Sequence, residues 1–221
     1  MVKELMWTFV IPCKFDPTNP MVFSCINSIK IHHPDARIVV VDSDSDDKGY
    51  MANLDVDHKV YGSGYSTPAY KWAYDNLVSD NWGLIHDNLI IKSTIPEPNP
   101  VLTARYFLSS HSQCDWGEDE SGEYMKYWAE RAADFDVPED FIGVFGPIWF
   151  CTQEVMDDLK GIGVLDIPVK TKMQMCSLER LIGIALQELG YDPTVSLQGE
   201  MSRGWDGYDN SVVEKHYAGR L

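Results

Sequence analysis

The stretch Ala36-Arg37-Ile38-Val39-Val40-Val41-Asp42-Ser43-Asp44-Ser45-Asp46-Asp47 decides the reading of this chain. An apolar, β-branched run of this length predicts a strand covered on both faces, as in a parallel sheet. It breaks off in a cluster of carboxylates and hydroxyls. Upstream, Trp7 to Pro12 (WTFVIP) is a second short apolar run with the same character. Between them Val22, Phe23, Ile26, Ile29 and Lys30 follow helical spacing. Pro20 suits the first turn, Asn19 or Thr18 the cap, and the helix ends before Pro34.

Outward from this unit the alternation continues. His58 to Tyr61 predicts a third strand, Gly62 to Pro68 a loop, Ala69 to Leu77 a helix and Trp82 to Ile85 a fourth strand, ending in His86-Asp87-Asn88. The fold class expected is α/β, a mostly parallel mixed sheet with helices on both faces. Ligands in such sheets bind beyond the carboxyl ends of the strands. Three polar clusters fall there: Pro12 to Asp16, Asp42 to Asp47 and His86 to Asn88. Each alone is equally readable as a solvated turn; three on one edge predict a site.

The second half is less regular. A strand and a Pro-rich turn fit Leu89 to Pro100, and Asp115 to Glu123 predicts a solvated acidic loop. Tyr124 to Phe135 reads as a helix, Phe141 to Phe150 as an apolar segment and Gln153 to Leu159 as a short helix. Ser177 to Leu189 is an amphipathic helix closed by Gly190. The tail from Met201 is glycine-rich and polar.

Composition narrows the function. Among 221 residues, 34 acids against 18 Lys and Arg give a net charge of −16, without the basic stripe expected of a nucleic-acid binder. No apolar run is long enough to span a bilayer, and Met1 to Pro12 lacks the pattern of a signal peptide. No membrane partner and a cytoplasmic location are the expectation. The five cysteines are odd in number and lack CxxC spacing, which predicts buried thiols rather than disulfides or zinc ligands.

The turn after the first strand holds no glycine, which disfavours a dinucleotide or methyl-donor site, and no GxxxxGK[ST] phosphate loop is present. A nucleoside diphosphate-sugar fits better. Its base needs a hydrogen-bond acceptor, for which Asp42 stands at a strand end. Its diphosphate needs charge compensation, which a divalent metal on oxygen ligands can supply. Asp87 and Asn88, just past the fourth strand, are candidates to face such an ion.

At this point the residues resemble a known family. Ile11-Pro12, then Cys25-Ile26-Asn27-Ser28-Ile29, then Val39 through Asp47 resemble the opening of inverting family 2 glycosyltransferases, which have the GT-A fold. Order, spacing and strand placement agree. More thinly, Gly143 to Asp158 resembles the family's acceptor-side segment, and Leu178-Glu179-Arg180 through Gly190-Tyr191 its E-D segment. Two positions depart: His86-Asp87-Asn88 stands for the DxD metal motif, and Leu178 replaces an acid.

The resemblance implies a single GT-A domain over 1–221, with residues 1–90 holding the nucleotide-sugar and 91–221 the acceptor. It implies Glu179 as general base, and Pro12, Lys14, Asp42, Asp44, Lys71 and Asp87 as the nucleotide-sugar-binding set. It implies Asp87, Asn88 and His216 around Mn2+ or Mg2+. The partners implied are a UDP-linked sugar and an acceptor hydroxyl on a glycan, a protein, a metabolite or a hydroxylated DNA base. Two rivals stand beside it. One is a sugar-1-phosphate nucleotidyltransferase, whose glycine-rich loop is absent here. The other is a catalytically inactive GT-A domain acting as a binding or scaffold module.

Overall fold

A computed structural model of the chain describes residues 5–62, 66–109, 130–137, 140–193, 208–209 and 212–216. The acidic stretch Asp115 to Glu123, the first half of the helix expected from Tyr124, and Cys114 lie outside them, as does most of the tail from Met201.

The core is one six-stranded sheet of order β3-β2-β1-β4-β7-β6. Its strands are β1 (Trp7–Cys13), β2 (Arg37–Ser43), β3 (His58–Gly62), β4 (Asn81–Leu84), β6 (Val101–Ser109) and β7 (Asp140–Thr152). The first four run parallel; β7 is antiparallel to both β4 and β6. The chain is therefore α/β with a mostly parallel mixed sheet.

Side-chain alternation along the strands divides the core in two. Val10, Val39 and Val41 face one way, against α2 (Ser66–Asn76), α3 (Gln153–Gly161) and α4 (Lys172–Glu188). Phe9, Ile11, Ile38 and Val40 face the other, against α1 (Met21–His32) through Val22, Cys25, Ile26 and Ile29. Helices on both faces explain why strands β1 and β2 read as continuous apolar runs. A small second sheet, β5-β9-β8, joins β5 (Leu89–Ile91), β9 (Val213–Lys215) and β8 (Tyr208–Asp209).

Element ends differ from expectation where side-chain chemistry intervenes. Pro20 stands before α1, but Thr18 does not cap it: its backbone N–H and hydroxyl both donate to Asp16 Oδ1. Helix α2 begins at Ser66, taking Pro68 into its first turn, where the missing N–H has no helical partner to lose. Helix α4 begins five residues before Ser177 because Thr171 Oγ1 accepts from the Gln174 N–H at 3.2 Å. Gly190, at φ 83°, stops it as expected.

Residue 183 fixes how closely α4 lies on the sheet. A Cβ there would sit 1.7 Å from the Ile142 carbonyl oxygen, so only glycine permits the contact with β7. Among the described residues no helix is long and apolar enough to cross a membrane.

Candidate functional site at the divergence of strands β1 and β4

Strand β1 lies between β2 and β4, and the chain order reverses there. Such a switch point opens a crevice beyond the carboxyl ends of the two strands. Beyond β4 the chain turns through Ile85, His86, Asp87 and Asn88 into β5. The end of β1 is tied to this turn, because the Cys13 thiol donates to Asp87 Oδ2 at 3.2 Å. The Cys25 thiol, from α1, points at the His86 carbonyl oxygen at 3.7 Å. Burial, reinforced by the Asp87 charge, holds the Cys25 thiol far above its ordinary pKa.

Strand β9 delivers the central group. Leu89 pairs with Lys215, so the second sheet sets Lys215 beside the His86–Asn88 turn. Its side chain faces inward and the residue is 5% exposed. The ammonium lies 3.5 Å from His86 Nδ1. Burial pushes the Lys215 pKa down to about 8, while the negative charges of Glu179 and Asp87 act in the opposite direction. Glu179 comes from α4, one turn before Gly183 on the face that meets β7, and is 3% exposed. It is an interior residue of the helix, not a first-turn surface acid. Gly146 of β7, at φ 61°, completes the surround: a Cβ there would lie 3.1 Å from Lys215 Nζ.

Asp42 and Asp87, both expected here, are reached by different routes. Asp42 ends β2 fully buried. Its Oδ1 accepts from the Tyr50 hydroxyl at 3.1 Å and its Oδ2 from the Ser45 N–H at 3.3 Å, with the Lys48 ammonium at 3.8 Å. Tyr50 is clamped by Phe15, the two rings stacked with centroids 4.3 Å apart. Burial first, then Cys13 and Asp42, pushes the Tyr50 phenol far up, so it stays a donor. Asp44 adopts φ 57° and is exposed, turning the chain away from the sheet edge. Pro12 lies in β1 opposite Val41, and Lys14 is exposed just past that strand. Lys71 is paired with Asp75 and Asp166, on the far side of α2's own ion-pair network, and is not brought to Asp87. Its pKa is raised by those carboxylates.

The residues present fit a divalent cation poorly. Asn88 Nδ2 donates to the His216 carbonyl oxygen, and the His216 N–H donates back to the Asn88 carbonyl at 3.1 Å. The two residues thus meet through backbone, while the His216 ring turns to Glu214 at 2.8 Å. Asn88 Oδ1 is buried with no hydrogen-bond partner among the described residues. That oxygen is the one atom of this group that a hard cation would satisfy, since such ions take oxygen ligands. Among the described residues no group of three His, Cys, Asp or Glu is arranged to hold a metal ion.

Lys215 and Cys13 escaped the sequence reading. The signal for Lys215 was the alternation Val213-Glu214-Lys215, apolar in, acid out, lysine in, hidden by the brevity of the strand. No protein-family model matches this chain, and no curated protein matches it either.

Proposed function

We propose that the chain is a glycosyltransferase of the GT-A type. It would move a sugar from a nucleoside diphosphate-sugar, UDP-linked on the resemblance, to an acceptor hydroxyl. One observation carries this reading. Asp87 and Glu179, placed independently by the resemblance, both act on the buried Lys215 at the switch point of a doubly wound sheet. Charged groups buried together beyond the carboxyl ends of a parallel sheet's strands are what a functional site requires.

Glu179 takes the proton of the acceptor hydroxyl as its oxygen attacks the anomeric carbon. The new glycosidic C–O bond forms as the bond to the diphosphate breaks, and the electron pair leaves with the diphosphate oxygen. Attack opposite the leaving group inverts the anomeric carbon. Asp42 would accept from the base, exchanging its Tyr50 donor for a ring N–H. No step is routed through a metal, since the ligand set above fits one poorly.

A second reading, a nucleotide-binding or scaffold module without turnover, is favoured by the complete burial of Asp42 beneath Tyr50. Thermal stabilisation by a panel of nucleoside diphosphates and their sugars, with and without manganese, tests both. A ligand that binds only the folded state raises the melting temperature. A shift with one nucleotide, abolished in Asp42→Ala, supports the donor site. Transfer activity reduced about 10²–10⁴-fold in Glu179→Gln, with nucleotide affinity kept, supports catalysis. No shift with any member of the panel sinks the transferase reading.

A further inference from the structure

We propose that the ammonium of Lys215 supplies the positive charge for the donor's diphosphate in the place a divalent cation would take, so that the site works without metal. The inference rests on the nucleotide-sugar reading above and assigns a role to a residue which that reading leaves unused.

Four observations carry it. Lys215 is buried at the end of a strand whose pairing with β5 fixes its position beside the His86–Asn88 turn. The charges of Asp87, implied above as a metal ligand, and of Glu179, implied as the general base, both act on it. An ammonium seated beside the His86–Asn88 turn repels a dication that would bind there. Gly146 provides the room: its positive φ and missing side chain leave the Lys215 ammonium in a gap between β7 and the turn. Finally, the His216 ring, which would complete a metal's ligand set, is turned to Glu214 at 2.8 Å.

An ammonium fixed between Gly146 and the His86–Asn88 turn can stabilise an anion that develops beside it. His86 Nδ1, facing the ammonium at 3.5 Å, is then an acceptor and carries its proton on Nε2. When the donor's diphosphate enters, the ammonium exchanges one of its partners for a phosphate oxygen. The departing diphosphate gains negative charge next to a fixed cation in a water-poor site, where such a contact is strongest.

Titration calorimetry with UDP, and with ADP, GDP and CDP in parallel, tests this on the full chain. In the wild-type protein, affinity in excess EDTA is expected to match affinity in manganese within about twofold. In Lys215→Met, checked for folding by circular dichroism, diphosphate affinity is expected to fall at least tenfold, with Lys215→Arg recovering part of it. Manganese alone, which should not bind the wild-type chain, is expected to gain a site in Lys215→Met, where the two acids lose their cation. Diphosphate binding that requires manganese in the wild-type protein overturns the inference and leaves the transferase reading standing. So does a Lys215→Met variant that binds as tightly as wild type. No binding of any nucleotide, with or without manganese, overturns both.

Discussion

The Cys13 thiol donates to Asp87 across 3.2 Å, joining the last residue of β1 to the turn after β4. This contact closes the base of the crevice and holds the Asp87 carboxylate in one orientation. Removing the donor in Cys13→Ala leaves a buried carboxylate short of a partner, at a cost of about 1–3 kcal/mol. Chemical denaturation should record that loss. The same burial predicts that Cys13, Cys25, Cys151 and Cys176 resist an aqueous thiol reagent in the native protein and react on unfolding. Peptide mapping after brief labelling checks this, and prompt modification of Cys13 would contradict the geometry.

Tyr50 covers the acceptor that a nucleobase needs. Tyr50→Phe removes the hydroxyl from Asp42 Oδ1 while keeping the stack on Phe15. Stability should drop by about 1–3 kcal/mol, because the buried Asp42 loses a donor. If a base N–H replaces that donor on binding, nucleotide affinity should rise in the variant. An affinity that falls along with stability would mean that Asp42 is a structural anchor for the loop after β2.

His33 gives the chain an acid-sensitive link. Its Nε2 accepts from the Ile95 N–H at 2.9 Å, and it packs against the rings of Trp7 and Phe9. Burial, helped by the neighbouring His32, lowers its pKa from 6.5 to about 4. Between those values the unfolded chain binds the proton and the native one does not. The stabilisation is therefore complete above about pH 6.5 and is lost as the pH falls toward 4. His33→Gln should flatten the melting temperature across that window, at the expense of stability at neutral pH. A wild-type melting curve indifferent to pH from 6.5 to 4 would refute the assignment.

Gly183 marks the closest approach of helix and sheet. Gly183→Ala would drive a methyl group into the Ile142 backbone at 1.7 Å, and backbone cannot step aside as a side chain can. The expected cost is about 3 kcal/mol or more. Because Glu179 lies one turn away on the same helix face, the proposed function predicts that any surviving protein also loses transfer activity. Gly161→Ala, which meets nothing within 4 Å, is the matched control.

The first ninety residues were legible because each element there is signalled locally. Val39 to Val41 are β-branched, Pro20 and Pro34 bracket α1, and Asp42 and His86 mark the strand ends. Strand β7 was partly legible as an apolar run with glycine, yet nothing local says that it runs antiparallel between β4 and β6. That direction follows from the segment before it and from tertiary pairing. The site was half visible. Asp87 and Glu179 stand out through the family resemblance in order and spacing, whereas Lys215 depends on a three-residue strand that forms by pairing with β5 and β8. His216 drew attention instead, and one position along a strand is the difference between the inner and the outer face.

The irregularity in β7 has a further consequence. Thr103 pairs with Trp149 and Arg105 with Val144, so one residue of β6 stands opposite four of β7, with Gly146 among them. The number of residues in that loop-out is as much a determinant as their identity. Deleting one would slide the segment 140–144 along its neighbour and turn Phe141 and Ile142 inside out. Point changes around this irregularity can be absorbed one at a time, but a change of length cannot. In any lineage of this fold, gaps should accumulate at the surface turns and stop short of residues 145–148.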